Sequence, residues 1–161
     1  MDAPTTDIAA FAAGLPPSGA LLGIDHGTKT IGVALSDRTQ AVATPLTGLE
    51  KAKFSDNAAA LLRIAEENGV VGLVIGYPLN MDGSVGPRAQ SARAFAANLA
   101  HALARPALLW DERLSTAAVE RMLIAGDTSR RRRALIVDET AAAYILQGAL
   151  DRLSHIEGRR A

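Results

Sequence analysis

Two acidic residues come at the ends of apolar runs that predict buried β-strands. Asp25 closes the run Ala-Leu-Leu-Gly-Ile, and Glu112 follows Ala-Leu-Leu-Trp-Asp. A charged residue at a strand end often only faces solvent, so either acid alone says little. If the two strands run in the same direction, their carboxyl ends meet at one edge of the sheet, where open α/β sheets form their ligand sites. The sequence therefore predicts two carboxylates at that edge.

A third acid, Asp138, shares a face with apolar residues of the last predicted helix. At about 100° per residue, Ala142, Ile145 and Ala149 fall within about a tenth of a turn of Asp138. A carboxylate on such a face is costly unless it meets a cation, a hydrogen-bond network or the open sheet edge. Glu139 borders the same stripe, so the helical wheel does not choose between them. An acid that only interacts with the helix dipole is the structural alternative.

Carboxylate oxygens are the ligands that hard cations such as Mg²⁺ and Mn²⁺ prefer, and the chain has no cysteine and only three histidines. Paired divalent ions about 4 Å apart are a common arrangement for phosphodiester cleavage. Three converging acids therefore predict a site for Mg²⁺ or Mn²⁺, with two ions expected, and nuclease chemistry.

Composition limits the class of protein. The 161 residues, 48% of them hydrophobic, fit one domain with a buried core. No apolar run reaches the roughly 18 residues that span a bilayer, and the start lacks the features of a signal peptide. We therefore expect a cytoplasmic protein without a membrane partner. The net charge of zero counts against a generally basic nucleic-acid binder, yet residues 130–133 are four consecutive arginines.

The predicted elements are three strands in succession, then alternating helices and strands. The strands cover residues 20–25, 30–36, 41–49, 70–76 and 107–110, and the helices 54–68, 88–104, 115–124 and 134–153. This order predicts an α/β fold with a mixed five-stranded sheet, three antiparallel strands followed by parallel ones, flanked by helices. We expect a single domain over residues 20–153. Residues 1–19 would form a flexible or weakly helical extension, and residues 154–161 a polar tail.

Four ordered segments resemble the bacterial pre-16S ribosomal RNA nuclease family, a relative of the Holliday-junction resolvases. They are residues 23–34 (GIDHGTKTIGVA) with Ser36-Asp37, residues 76–83 (GYPLNMDG) with residues 86–89 (GPRA), residues 111–116 (DERLST), and residues 137–139 (VDE) followed by Ala141-Ala142 and residues 145–147 (ILQ). The resemblance spans about residues 20–150. It implies a ribonuclease-H-like fold, trimming of the 5′ end of precursor 16S ribosomal RNA during ribosome biogenesis, and a cytoplasmic role. It also implies that Asp25, Glu112 and Asp138 are the catalytic and metal-binding acids.

The chain departs from the pattern of the resolvase relatives in two places. Those proteins carry an additional acid on the last helix, where Ala141 and Ala142 follow here. Their second acid tends to end the fourth strand, where this chain has Gly76-Tyr77-Pro78. The assignment of Glu112 therefore depends on the narrower family's own pattern. The basic stretch before Asp138, which often includes lysine in that family, is entirely arginine here.

Several residues are candidates for substrate contact. Lys29 and Arg113 each lie a few residues from a predicted metal acid, where they can hold a phosphate or pair with the acids. Arg131 and Arg132, within the arginine run, can follow a nucleic-acid backbone without reading its sequence.

The loop at residues 77–87 adds Asn80 and, just after it, Arg88 as further candidates for substrate contact. We interpret His26 as a turn residue rather than a base, and Trp110 as a core residue.

Competing functions remain open at this stage. The same acids could cleave branched DNA such as a Holliday junction instead of RNA. A non-catalytic nucleic-acid-binding module is a different class, and clustered negative charge argues against it. Residues 23–28 also resemble the phosphate loop of actin-like ATPases, but those need two lobes and the chain is too short. Whether the chain is a monomer or a homodimer is not indicated.

Overall fold

The computed structural model describes residues 3–114 and 130–156, and for residues 130–138 it describes the course of the backbone only. The helices are α1 (Ile8–Ala13), α2 (Phe54–Glu67), α3 (Pro87–Leu103) and α4 (Arg130–Leu153), and a short 3-10 helix covers Glu112–Leu114. The strands are β1 (Ala20–His26), β2 (Thr30–Ser36), β3 (Ala43–Glu50), β4 (Val70–Tyr77) and β5 (Ala107–Asp111).

One mixed sheet contains all five strands, in the order β3-β2-β1-β4-β5. The first three strands pair antiparallel, while β4 is parallel to both β1 and β5. This confirms the predicted architecture. The carboxyl ends of β1, β4 and β5 consequently meet at one edge, which is called the carboxyl edge below.

Helices cover both faces of the sheet, and each face has its own apolar cluster. On one face α2 and α3 pack against residues such as Leu22, Ile24 and Ile75. On the other, α1 and α4 pack against Leu21, Val74 and Leu108. The central strands are therefore buried on both faces, which explains why β1 and β4 read as nearly continuous apolar runs.

Small residues let α4 lie very close to the sheet. A Cβ added to Gly23 of β1 would lie 2.7 Å from the Leu146 Cβ and 3.0 Å from the Ala142 carbonyl oxygen. Both of those atoms belong to α4, so any larger residue at position 23 would push the helix away. The small Ala142 of α4, which is fully buried, allows this close approach.

The N-terminal segment is more structured than the sequence suggested. Asp7 caps α1 by accepting hydrogen bonds from two backbone amides, and Phe11 is buried in the second apolar cluster. Thr5 exchanges backbone hydrogen bonds with β5, its carbonyl accepting from Leu109 at 2.8 Å. Residues 5–13 thus pack against the domain, where the sequence had predicted a flexible or weakly helical extension.

The last helix begins earlier than predicted. It starts at Arg130 rather than near residue 134, so the arginine run lies in its first turn instead of in a preceding loop. Arginine is a good helix former, so the helical backbone extends through the run into residues 134–153 without a break. The predicted helix at 115–124 lies outside the described residues. Among the described helices, none is both long and apolar enough to cross a bilayer.

Candidate active site

Asp25 lies at the carboxyl edge, on the face of the sheet that α4 covers. Side chains alternate along a strand, so Asp25 faces the same way as Gly23, which α4 contacts. Asp25 is only 2% exposed. A buried carboxylate is costly unless it is paired or bound to a cation. The surroundings of Asp25 must therefore supply hydrogen-bond donors or a cation.

Glu112 reaches back over the end of the neighbouring strand. Its Oε2 atom lies 2.9 Å, and its Cδ atom 3.1 Å, from the point that a Cβ on Gly76 would occupy. Gly76, the last residue but one of β4, faces α4 next to Ile145 of that helix. The carboxylate of Glu112 therefore fills the space above β4 that any other residue at position 76 would take.

The register of the sheet places these two acids together. Ile24 of β1 pairs with Ile75 of β4, so Asp25 and Gly76 come next, on adjacent strands about 5 Å apart. The Glu112 carboxylate over Gly76 is thus one strand away from Asp25 on the same face. This answers the departure noted in the sequence: Glu112 supplies a carboxylate at the end of β4, where this chain has a glycine.

Asp138 belongs to the part of α4 that lies towards the carboxyl edge. Gln147 of this helix bonds to Ala41 and Ala43, which lie at the sheet edge opposite the carboxyl edge. Residues earlier in α4 therefore lie towards the carboxyl edge. Asp138 comes one turn before Ala142 and two turns before Ile145, on the helix face that packs against β1 and β4. Its side chain is outside the described residues.

Within residues 3–114 and the described side chains of α4, no group of three histidines, cysteines or acids lies close enough to hold a metal. Two of the three predicted acids are described, and both lie at the carboxyl edge on the face that α4 covers. The assignment of all three as metal ligands stays a prediction, since the third side chain is not among those described.

His26 projects to the opposite face of the sheet from Asp25. Its ring stacks on Phe95 of α3, with centroids 4.2 Å apart and the planes at 9°. Burial, aided by the nearby charges of Lys51 and Arg88, lowers the pKa of His26 to about 4. A neutral, stacked imidazole on that face fits the interpretation of His26 as a turn residue rather than a base.

Arg113 ties the end of β5 to the neighbouring loop. Its guanidinium binds both oxygens of the Asp111 carboxylate, with Nη2 at 2.7 Å, and Nη1 donates to the Met81 carbonyl at 3.2 Å. Arg113 in turn holds the pKa of Asp111 below its ordinary value. Arg113 thus pairs with Asp111, which is not one of the three predicted metal acids, and its predicted contact with phosphate stays a prediction.

The other predicted contact residues lie around the same edge. Asn80 shapes its loop: its side chain donates to Ser84 Oγ at 2.9 Å and its carbonyl accepts from Gly83. Lys29 and Arg88 are exposed, in the β1–β2 turn and the first turn of α3. Arg131 and Arg132 belong to the first turn of α4, and their side chains are not described.

Two residues that position the site received no role from the sequence. Gly76 makes room for Glu112, and Gln147 docks α4 by accepting from the Ala43 amide at 2.9 Å and donating to the Ala41 carbonyl at 3.0 Å. Both lie inside the motifs quoted above. Motif membership was the only signal, because their roles depend on contacts between segments far apart in the chain.

Comparison with known proteins identifies the family. The family model described as "RuvX: Holliday junction resolvase" matches residues 19–152. The chain belongs to this family. A relative from Paracoccus denitrificans is 58% identical over 91% of this chain and 93% of its own length, and one from Rhodopseudomonas palustris is 58% identical over 96% and 94%. Both are named "Putative pre-16S rRNA nuclease".

Solved structures support the fold. RuvC from Thermus thermophilus in complex with a Holliday junction substrate gives a TM-score of 0.54 at 12% identity, covering 85% of this chain and 96% of that one. A second RuvC structure from T. thermophilus gives 0.50 at 13% identity, with 84% and 96% covered. The predicted ribonuclease-H-like fold is thereby confirmed. Membership of the RuvX family confirms the predicted family and the predicted enzyme class, a hydrolase acting on phosphodiester bonds.

Proposed function

We propose that this RuvX-family chain is a cytoplasmic nuclease that requires divalent metal ions and processes the 5′ end of precursor 16S ribosomal RNA. Asp25, Glu112 and Asp138 are the acids that bind the metal in this proposal. The observation that carries it is the Glu112 carboxylate lying over Gly76, one strand from the buried Asp25.

The donor set fits Mg²⁺ or Mn²⁺. Both described acids offer oxygen ligands, and the chain contains no cysteine that would favour a softer metal. A bound pair of such ions would activate water and neutralise charge at the scissile phosphate. Clustering of carboxylates at one edge also argues against a purely binding role, because negative charge near phosphates weakens nucleic-acid binding.

The chain's own residues hold this arrangement in place. Asp25 is fixed within a paired strand, between β2 and β4. Glu112 begins a 3-10 helix whose next residue, Arg113, is clamped to Asp111 and to the Met81 carbonyl. The acids are therefore presented by the sheet and a tethered turn, which favours a preorganised site.

The substrate is proposed from the names of the relatives. Proteins 58% identical over nearly the whole chain are named for pre-16S ribosomal RNA. Cleavage of branched DNA is the second candidate, favoured by the family description and by the RuvC complex with a Holliday junction. The same acids would serve either polymer, since both cleavages attack a phosphodiester bond.

The test incubates the purified protein with Mg²⁺ or Mn²⁺ and, in parallel, precursor 16S ribosomal RNA and a four-way DNA junction. We expect metal-dependent cleavage of the RNA precursor near its 5′ end, abolished by EDTA. Asp25→Asn and Glu112→Gln should each lower the cleavage rate by at least about 100-fold, since even indirect disturbance of a metal site costs 10- to 100-fold.

Matched variants separate the acids from a general loss of charge. Glu66→Gln removes an exposed carboxylate of α2 and should leave the rate unchanged. Asp138→Asn compared with Glu139→Gln decides which acid of α4 takes part, and we expect the loss only from Asp138→Asn. Cleavage of neither polymer, or full activity in Asp25→Asn, would show that the proposal is wrong. Preferential cleavage of the junction would select the second candidate.

A further inference from the structure

All three lysines of the chain lie at one place, beside the carboxyl edge. Lys29 is in the β1–β2 turn, and Lys51 and Lys53 are in the connection from β3 to α2, all three exposed. The Lys51 amide donates to the Lys29 carbonyl at 2.9 Å, so the two segments are in direct contact. Arg88, exposed at the start of α3, adds a fourth cation.

These cations are held together rather than spread apart. The Lys51 ammonium donates to the Gly27 carbonyl at 3.2 Å, and both Lys51 and Arg88 lie near enough to His26 to depress its pKa. The same segments contain four cations and two carboxylates, Glu50 and Asp56. The net positive charge of this region favours contact with an anion such as a phosphate.

A buried amide fixes the lysine segment. The Asn57 side chain is 6% exposed, accepts from the Ala52 amide at 2.9 Å and donates to the Glu50 carbonyl at 3.1 Å. The backbone between Glu50 and α2 is thus pinned from inside the helix. The positions of Lys51 and Lys53 are therefore set by the fold, as expected of a binding surface.

An exposed aromatic ring lies beside these cations. Phe54, directly after Lys53, is 38% exposed. It meets Phe95 edge to face, with centroids 5.9 Å apart, and Phe95 in turn stacks on His26. Two ring contacts therefore connect Phe54 with the residue next to Asp25. A partly exposed aromatic ring beside cations is typical of surfaces on which unpaired bases stack.

We propose that Lys29, Lys51, Lys53, Phe54 and Arg88 form a binding surface for a single-stranded segment of the substrate, with an unpaired base stacked on Phe54 and phosphates held by the cations. This surface is called the Phe54 platform. The proposal rests on the proposed nuclease function and adds that the bound part of the substrate is single-stranded. Lys29 and Arg88 were predicted from the sequence as substrate contacts, whereas the ring and the other two lysines are assigned by the structure.

A single strand fits the Phe54 platform better than a duplex. Bases within a duplex are stacked on one another, so their faces are not available to a protein ring, whereas unpaired bases can stack on aromatic side chains. The platform is on the face of β1 that carries His26, opposite the acids. A bound strand would therefore pass round the end of β1 to reach Asp25.

The test measures binding without cleavage, in EDTA, using a single-stranded RNA oligonucleotide with one 2-aminopurine and a duplex of the same length. When the single strand binds wild-type protein, we expect the fluorescence of its 2-aminopurine to be quenched because that base stacks on Phe54. Phe54→Leu, which keeps the apolar cover of Phe95, should weaken single-strand binding roughly 5- to 100-fold, and Phe54→Trp should restore it. Duplex binding should be little changed by either variant.

The salt dependence of binding tests the role of the cations. Lys51→Ala with Lys53→Ala should lower the slope of log affinity against log salt by about 1.4 for the single strand, at about 0.7 per phosphate contact. Arg38→Ala removes an exposed cation at the opposite end of the strands and should leave the slope unchanged. Urea unfolding of each variant shows that the fold is intact.

Single-strand affinity in Phe54→Leu equal to that of the wild type, or an equal loss of affinity for duplex and single strand, would each overturn the Phe54 platform. Because the assay contains no divalent metal and no turnover, its outcome is separate from that of the nuclease proposal. A protein that binds as expected and never cleaves would contradict the nuclease proposal alone. A protein that cleaves its substrate, but whose single-strand affinity is unchanged by Phe54→Leu, would contradict the platform alone.

Discussion

Gly76 is the residue on which the geometry of the two described acids depends most directly. In Gly76→Ala the new Cβ would lie 2.9 Å from Glu112 Oε2 and 2.7 Å from Ile145 Cδ1, so both neighbours must move. We expect a loss of about 1–3 kcal/mol in the free energy of unfolding, as for other overpacked sites, and at least a tenfold loss of metal-dependent cleavage. Urea unfolding and a cleavage assay measure the two effects.

Gly72 provides the matched control, since it lies on the same strand and the same face. A Cβ there would meet Leu15, Leu21 and Phe11, at 2.7 to 3.1 Å, but no acid. Gly72→Ala should therefore destabilise the protein to a similar extent and leave the cleavage rate of the folded enzyme intact. Equal loss of cleavage in both variants would show that Gly76 acts through stability rather than through Glu112.

His26 makes stability depend on pH in a direction that its surroundings fix. The pKa of His26 is about 4 in the folded protein, against 6.5 for the free side chain, chiefly because of burial. Between these values the unfolded state binds more protons, so stability falls as pH decreases from about 6.5 towards 4. His26→Phe keeps the stack on Phe95. It should lower the slope of the free energy of unfolding against pH in this range by the equivalent of up to about one bound proton.

Urea unfolding at several pH values over that window measures the change in slope for His26→Phe. The control, His101→Phe, removes an exposed histidine of α3. We expect its pH dependence to follow that of the wild type. An unchanged slope in His26→Phe, or the same change in both variants, would contradict the role assigned to burial of His26.

At the scale of elements, the sequence predicted what depends on local pattern. Continuous apolar runs gave β1, β4 and β5 to within one residue at each end, and the order of elements gave the mixed sheet. The run ending at Asp25 therefore placed that acid correctly at the carboxyl edge. Glu112 was likewise placed at the carboxyl edge because it directly follows the apolar run that forms β5.

What the sequence could not supply are contacts between distant segments. The reach of Glu112 over Gly76 joins residues 36 positions apart along the chain, and periodicity carries no information on such pairs. The pairing of Thr5 with β5 was missed for the same reason, since residues 1–19 show no clear period. The arginine run was placed outside α4 because four like charges suggested a solvated loop, although arginine forms helices well.

Gln147 is expected to hold α4, and with it Asp138, in register with the sheet. Its amide satisfies the Ala43 N–H and the Ala41 carbonyl across the β2–β3 connection. Gln147→Leu leaves both backbone groups without that partner and should cost about 1–3 kcal/mol in the free energy of unfolding. Gln147→Glu can still accept from Ala43, but it loses the donation to Ala41 and brings a second carboxylate against Asp151, to which Gln147 donates at 2.9 Å. It should therefore be no more stable than Gln147→Leu.

Urea unfolding of both variants, with Gln90→Leu as the control at an exposed position of α3, measures these differences. If Gln147→Leu matches the control, docking of α4 depends on its apolar contacts alone. A Gln147→Glu variant clearly more stable than Gln147→Leu would contradict the roles assigned to the donations to Ala41 and Asp151.

Phe11 tests whether the N-terminal helix belongs to the folded domain. Its ring is 2% exposed and lies against the position where a Gly72 side chain would start. Phe11→Ala should lower the free energy of unfolding by about 3–5 kcal/mol. Phe54→Ala, at a ring that is 38% exposed, should cost much less. Equal, small effects would return residues 1–19 to the status of an extension.

At the scale of the whole molecule, zero net charge means that any attraction for nucleic acid must come from local clusters. The 17 cations and 17 acids cancel at long range, and exposed charges are screened beyond about 10 Å at 0.1 M salt. Affinity should therefore depend on a few cations near the substrate path. The first turn of α4, with Arg131 and Arg132, is the densest run of cations in the sequence.

Replacing Arg131 and Arg132 by alanine should weaken substrate binding and lower its salt slope by about 1.4 for a single strand, while leaving the rate at saturating substrate nearly unchanged. Such a result follows if the arginines hold phosphates away from the reacting bond. Arg152→Ala, on the same helix about 30 Å further along, is the matched control and should alter neither quantity. A lower saturating rate with unchanged affinity would place these arginines at the reacting phosphate instead, and an unchanged salt slope would show that the run is only a solvated helix end.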